Sequence, residues 1–508
     1  MAIKNQLSGR PLEIVLTATN SAAQAWYGYD QGVISGILIS KFFINTFPQT
    51  KNSDIQGITA SCFSLGNLAG CLLAALFGDR LGRKNTLRAG AFFSTVGAIL
   101  QFSSFHFPQF IVGRVINGLG NAPHVECIKR SLAEDQEGES FGSLWDAHTS
   151  IIPLNGDYPS LSRQLVPCMV MCCLLPLLPD SPRWLVMRDR RDEAHEALRR
   201  YLGKDLPLDE PAVINELLSI EEAYNIEKRS RISLKEVILC RDRSGHLKRL
   251  LLGCGGQFMQ QFGGINALNY YFPIILTENI GLSEFMARVL TGCNATSYMI
   301  SSGLCFWMIE RFGRRSLMLS GLVLQCWAYV MVAISVALLL HAPSQWGAVA
   351  ITFLFFYYAA FGCTWGMVPW VYQAEINSLS MRTTGTAAAT ATNWLFGFVC
   401  TQFTPTGIRN IGYRFYIIFA AFNLLFVPVV YFLYPETSNR TLEDIDEYFD
   451  IDSGHPTIIA IGDKVTKSTA RPQEAIDAEI RRVTVADKKV AAQKGSAVHV
   501  EHVDDRDE

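Results

Sequence analysis

Residues 79–84 read DRLGRK, and residues 310–315 read ERFGRR. Both have the form acid–Arg–x–Gly–Arg–base, and each follows a long apolar run, 56–78 in one case and 286–309 in the other. One basic cluster after an apolar run reads as a loop kept on the cytoplasmic side by the positive-inside bias. Two such clusters at equivalent places read as a duplication, and internal repeats of this kind are a mark of membrane transporters. The chain is therefore read as two related halves.

The rest of the sequence fits that division. Apolar stretches long enough to span a bilayer, about 20 residues each, occupy 14–38, 56–78, 86–106, 250–276, 286–309, 317–340, 346–373, 384–404 and 413–434. Two shorter runs, 107–120 and 161–178, lie between the third and fourth of these. Charge is 18% of the 508 residues, against 49% hydrophobic, and it collects between and after the apolar runs. The expected organisation has four parts. An N-terminal transmembrane bundle covers 1–178, with 121–160 polar and atypical. A cytoplasmic loop covers 179–249, a C-terminal six-helix bundle 250–434, and a mostly disordered cytoplasmic tail 435–508. The opening MAIKNQLSGRPLE has no apolar core, so no cleavable signal is expected, and Lys4 and Arg10 favour a cytoplasmic N-terminus. The net charge of −2 gives no reason to expect a nucleic-acid partner. The 13 cysteines are scattered, without a metal-ligand or redox spacing. No cofactor, metal or enzyme constellation is read from the sequence.

Several polar residues interrupt apolar runs. Asp30, in YGYDQGVISG (27–36), costs about 2.5–3.5 kcal/mol in a membrane helix unless it is partnered or faces water. Arg114, in VGRVINGLG (112–120), is its natural partner; the alternative is an Asp30 solvated at the interface. The stretch CGGQFMQQFGGINALNYYFP (254–273) places amides at Gln257, Gln260, Gln261, Asn266 and Asn269 beside Tyr270 and Tyr271. Amides donate and accept, which suits a neutral, hydroxyl-rich ligand. They also serve as glue between helices, and both readings stay open. Asn294, Trp365, Asn393 and Trp394 put further amides and indoles on other helices of the second half. Pro369 and its neighbouring glycines suggest a helix that bends. Glu375 and Arg382, with Glu310, Arg311 and Arg314, offer ion pairs that hold one conformation closed.

These motifs together resemble the sugar porter family of the major facilitator superfamily, its fungal monosaccharide transporters in particular. The residues that carry the resemblance are GYDQGVISG (28–36), DRLGRK, VGRVINGLG, PDSPRWLV (179–186), QQFGGIN with YY (260–271), ERFGRR, WGMVPW with Glu375 and Arg382, NW (393–394) and PETSNRTLEDID (435–446). The resemblance implies an all-α polytopic membrane protein of two pseudo-symmetric helical bundles, working by alternating access. It implies a monosaccharide substrate, hexose first, a proton as coupling ion, a lipid bilayer around a monomer, and the plasma membrane as location. It assigns the sugar site to Gln260, Gln261, Asn266, Tyr270, Asn294, Trp365, Asn393 and Trp394, and proton coupling to Asp30 and Arg114. A cytoplasmic gating network falls on Asp79, Arg80, Arg83, Glu310, Arg311, Arg314, Glu375 and Arg382.

The sequence also departs from the family. Ala75 replaces a glycine before the first motif, Asp180 stands for the usual glutamate, and PETSN replaces PETKG. The largest departure is NAPHVECIKRSLAEDQEGESF (121–141). The family's fifth helix carries a sugar-binding glutamine, whereas 121–160 holds only Gln136, between two acids. The N-terminal bundle is accordingly expected to be incomplete around helices 4–6, with most of helix 4, all of helix 5 and part of helix 6 lost. A topology of four plus six crossings remains consistent with both motif loops on one side. A transport-defective or regulatory isoform, or a sugar sensor of the same fold, stands as the alternative function.

Overall fold

Glycine in the two repeated hexapeptides shows first how the sequence sets the structure. Gly82 has φ 79° and ψ 158°, and Gly313 has φ 80° and ψ 169°. A side chain is strained in this backbone region, and both motifs use it to end one long helix and start the next. Each corner is also backed by a side chain. A Cβ on Gly82 would lie 2.6 Å from the Trp184 ring, and one on Gly313 2.6 Å from the Glu436 carboxylate. The duplication read in the sequence is thus a duplication of backbone conformation.

In this computed structural model the described residues are 7–132, 165–203, 210–229, 237, 245–339, 341–378, 380–438, 440, 445 and 448–449. The side chains of Asp79, Arg83 and residues 122–132 lie outside the description. So do nearly all of the 121–160 side chains and most of the tail 435–508, including all of 462–508, for which disorder is expected. Among the described residues every regular element is helical.

The N-terminal half contains α1 (Arg10–Ile37), a short α2 (Lys41–Thr46), α3 (Ser53–Leu81), α4 (Arg83–Phe102), α5 (Phe107–Leu132) and α6 (Leu165–Leu174). Three helices follow: α7 (Pro182–Met187), α8 (Arg191–Leu202) and α9 (Pro211–Arg229). They bury Leu185, Ala194, Ala197, Leu198, Val213 and Leu217 together, so the 179–249 connection has a small core of its own. The C-terminal half contains α10 (His246–Phe262), α11 (Ile265–Ile274), α12 (Glu284–Phe312), α13 (Arg314–Leu338), α14 (Pro343–Cys363), α15 (Val368–Ile376), α16 (Arg382–Ile411) and α17 (Arg414–Leu433).

Two of these passages are broken. Between α10 and α11 Gly264 has φ 95°, and a Cβ there would lie 2.1 Å from the Tyr329 hydroxyl. Between α14 and α15 the chain turns through Thr364–Met367, and Pro369 sits in the first turn of α15. A proline is tolerated there because that amide has no partner to lose.

Four helical stretches are long and apolar enough to cross a membrane: Ser53–Gly78, Arg314–Leu338, Pro343–Ile376 and Arg414–Leu433. The other long helices are diluted by amides, hydroxyls and the Asp30 and Arg114 charges. Apolar side chains such as Leu76, Phe92, Trp307 and Leu424 point outward, which a lipid environment explains.

The helix lengths amend the sequence reading near residue 120. The fourth apolar run does not end its helix there. α5 has 26 residues and continues to Leu132, about 39 Å at helical rise. Only about 30 Å of a spanning helix lies in hydrocarbon. The helical backbone continues through the charged stretch, so helix 4 is retained. The run at 161–178 stays short: α6 and the 3-10 turn after it cover Leu165–Leu177, about 20 Å.

Candidate functional site

Asp30 lies about two turns before the C-terminal end of α1 and is 2% exposed, and Arg114, on α5, is fully buried. Arg114 Nη1 donates to Asp30 Oδ2 at 2.9 Å, and Arg114 Nη2 donates to the Ala60 carbonyl at 3.2 Å. The guanidinium also stacks over the Phe63 ring, 5.0 Å from its centroid. A buried ion pair persists only when further hydrogen bonds satisfy its remaining atoms. Here Asn117 Nδ2 completes the carboxylate by donating to Asp30 Oδ1 at 2.8 Å. The solvated, interfacial alternative for Asp30 does not describe this geometry.

Across from this pair stands α11. Tyr270 is buried and close enough to Asp30 and Arg114 to interact electrostatically with both. Gln31, next to Asp30, donates to the Tyr27 hydroxyl at 2.6 Å. Tyr27 in turn meets Trp394 of α16 edge to face, with centroids 5.9 Å apart. The N-terminal ion pair and the C-terminal aromatic residues therefore share one neighbourhood.

The amides of the C-terminal half form a network. Asn393 Nδ2, on α16, donates to Gln257 Oε1 at 2.7 Å and Gln260 Oε1 at 2.8 Å, both on α10. Gln257 Nε2 donates to Gln373 Oε1 of α15 at 3.0 Å, and Gln260 Nε2 to the Trp365 carbonyl at 2.7 Å. Asn266 Nδ2 donates to Gln261 Oε1 at 2.5 Å across the α10–α11 break. The break makes this last contact possible, because it lets two residues of one passage face each other.

Three expected site residues behave differently. The Trp365 indole points away and donates to the Met318 carbonyl on α13 at 2.9 Å. Trp394 Nε1 and Asn294 Oδ1 are buried and have no hydrogen-bond partner. Asn294 sits on α12, outside the network of the other amides. Two members were missed in the sequence. Gln373 lies between WGMVPW and Glu375, but nothing in its own position marks it as part of an amide network. Asn117 lies in VGRVINGLG, three residues after Arg114 and so on the same face of α5, a spacing that does point to it.

Of the gating residues, Arg314 and Glu375 come together in a two-pronged contact, Nε to Oε2 at 3.1 Å and Nη2 to Oε1 at 2.5 Å. Thr437 Oγ1 also donates to Glu375 Oε2 at 2.6 Å. Glu436, not singled out beforehand, accepts from the backbone amides of Arg314 at 2.8 Å and Arg315 at 3.0 Å, a carboxylate at a helix N-terminus. Arg311 lies over the Trp307 ring instead of on an acid, and Glu310 is exposed. The Arg80 carbonyl accepts from Arg188, and Arg382 opens α16. The Asp79 and Arg83 side chains lie outside the described residues.

At the end away from the two motifs the halves are tied by polar contacts. Ser61 donates to Gln402 at 2.7 Å, Thr406 to Asp54 at 2.6 Å, and Arg409 to the Lys51 carbonyl at 2.7 Å. Lys41 and Glu284 form an ion pair at 3.3 Å.

Comparison with known proteins agrees with this arrangement. The family described as "Sugar (and other) transporter" matches residues 16–122 and 159–449, leaving a gap over the polar stretch. The MFS-type transporter oryC of Aspergillus oryzae is 35% identical over 97% of this chain and 96% of its own. The sugar transporter STL1 of Saccharomyces cerevisiae is 33% identical over 87% of this chain and 82% of its own. Among solved structures, the proton:xylose symporter XylE bound to 6-bromo-6-deoxy-D-glucose superposes with a TM-score of 0.71 at 21% identity, covering 86% of this chain and 98% of that one. At that identity the last likeness concerns the fold. With two helical halves that repeat one motif at one glycine conformation, and with sequence kinship across most of its length, the chain belongs to the sugar (and other) transporter family and is a multi-pass membrane transporter of the major facilitator superfamily.

Proposed function

We propose that the chain carries a monosaccharide, hexose first, across the plasma membrane by alternating access, coupled to a proton. The observation that carries this is the buried Asp30–Arg114 pair of the N-terminal half lying beside Tyr270 of the amide-rich passage. A carboxylate in that position exchanges its proton for the ion pair as the cavity opens and closes. The proposed sugar residues are Gln260, Gln261, Asn266, Tyr270, Asn294, Trp365, Asn393 and Trp394. In this structure most of the amides bond one another. A sugar would replace amide–amide bonds with amide–hydroxyl bonds, an exchange worth about 1 kcal/mol or less per bond. Weak net binding suits a carrier, which must also release its cargo. The unpaired Trp394 Nε1 and Asn294 Oδ1 are the atoms with most to gain.

The proposed orientation puts both motif loops, α7–α9 and the tail in the cytoplasm, as their basic residues favour. The contacts at the other end then close the outward path. The proposed gating network centres on Arg314–Glu375, with Arg80, Arg382, Glu310 and Arg311 around it and Asp79 and Arg83 assigned by resemblance.

Expression in cells lacking their own hexose carriers tests the proposal. Labelled hexose uptake that a protonophore abolishes is the expected result. Uptake insensitive to the protonophore contradicts the coupling. A surface-expressed chain without any uptake contradicts transport and favours the second reading, a transport-defective or regulatory isoform. The shortness of α6 is the observation behind that alternative.

A further inference from the structure

We propose that Asn117 is the positioning residue that lets Asp30 exist both charged and protonated inside the protein, and so sets the pH range of coupling. This rests on the proton-coupling reading above and adds to it a residue outside the Asp30–Arg114 pair. Both oxygens of Asp30 are occupied from one face of α5. Arg114 Nη1 holds Oδ2 at 2.9 Å, and Asn117 Nδ2 holds Oδ1 at 2.8 Å. Asn117 is 1% exposed, so bulk water does not compete for this bond. The other ionisable groups facing Asp30 are Cys62 of α3 and Tyr270 of α11. Neither of these donates a hydrogen bond to the carboxylate.

The two α5 residues are not equivalent in chemistry. A guanidinium only donates, so Arg114 can serve Asp30 only as an acceptor. When a proton from water binds Oδ1, the carboxylate becomes a neutral carboxyl whose O–H needs an acceptor. A buried donor without one costs about 1–3 kcal/mol. The Asn117 amide has both functions. Turned half way round its last side-chain bond, it presents Oδ1 to receive that O–H, while Arg114 keeps its charge and its bond to the Ala60 carbonyl. The place of the amide is fixed by close packing. A Cβ on Gly97 of α4 would lie 2.4 Å from the Asn117 nitrogen, and Ser94 Oγ donates to the Asn117 carbonyl at 3.2 Å. The backbone that carries the amide is therefore held in place beside Asp30.

The test uses the full chain in proteoliposomes with a lumenal pH dye. Proton-driven hexose uptake is measured across external pH and normalised to hexose–hexose exchange, which needs no net proton movement. Asn117→Leu keeps the volume and removes both hydrogen-bond functions. The lost bond to the charged form outweighs the lost bond to the neutral form. The pH profile should therefore move to higher pH by about one unit, and the ratio of driven uptake to exchange should fall. Asn117→Ser, with a hydroxyl that donates and accepts, should recover part of both. Should Asn117→Leu yield no protein, Asn117→Ala takes its place with the same expectation. A wild-type profile and ratio in the Leu or Ala variant overturns the inference while leaving the coupling reading intact. Wild-type chain that takes up hexose without moving protons overturns both.

Discussion

Asp30 shows how little of a site's chemistry lies in one residue. Its burial is tolerable because Arg114 and Asn117 meet both of its oxygens. Removing one partner of such a buried pair costs about 3–5 kcal/mol, since the other charge stays behind. Arg114→Met should therefore lower folded yield and thermal midpoint sharply, and adding Asp30→Asn should recover most of the loss. Thermal-shift measurements in detergent check this; a midpoint for Arg114→Met equal to wild type contradicts it. Gly82 and Gly313 make a second pair of predictions. With φ near 80° and a side chain against each position, alanine at either should destabilise by about 1–3 kcal/mol, read as a comparable fall in thermal midpoint for both. A fall at only one site would mean that the repeated motif is not structurally repeated. At this scale the sequence was legible where chemistry is costly: an acid and a base in apolar runs select each other. It was not legible where the deciding property is direction. Nothing in CTWGMVPW tells that the Trp365 indole turns toward Met318, and Gln373 resembles any polar residue near a helix end.

Elements obey a different logic, that of where helices stop. The α10–α11 break lets Gln261 reach Asn266 and brings Tyr270 toward the ion pair. Gly264→Ala would put a methyl group 2.1 Å from the Tyr329 hydroxyl at a φ of 95°. It should reduce uptake more than it reduces surface expression, because the bend sets the geometry of the amides; equal uptake per surface molecule would argue against a role for the break. At the start of α13, Glu436 accepts two backbone amides that the helix itself cannot satisfy. Glu436→Ala should cost about 1 kcal/mol and loosen the start of α13, which faster hydrogen exchange of the Arg314 and Arg315 amides would reveal. The existence of the long helices was readable from the apolar runs; that of α7–α9, in the charged 179–249 connection, was not. Nor were helix ends: α5 runs twelve residues beyond its last apolar stretch at 120, because charged residues that stop a membrane span do not stop a helix.

At the scale of the whole molecule, duplication organises everything. Two halves meet with the acid–base pair on one side and the amide–aromatic cluster on the other, the arrangement on which the proposed coupling of proton to sugar rests. The same symmetry exposes what is unusual here. Among the described residues the C-terminal half has six long helical passes, two of them broken, whereas the N-terminal half has α1, α3, α4 and α5 and then only the short α6. The family match breaks at 122 and resumes at 159, the interval that the polar sequence had already set apart. Composition could show that this interval is unlike a membrane helix, but not whether the remaining helices suffice for transport. That question, and the central claim with it, is met most directly by one measurement: purified full-length chain in proteoliposomes with a lumenal pH dye, given hexose on one side. The account predicts that hexose entry carries protons with it, and that Asp30→Asn still exchanges hexose but moves no protons. Hexose entry without a pH change, or no entry by correctly inserted protein, would contradict it.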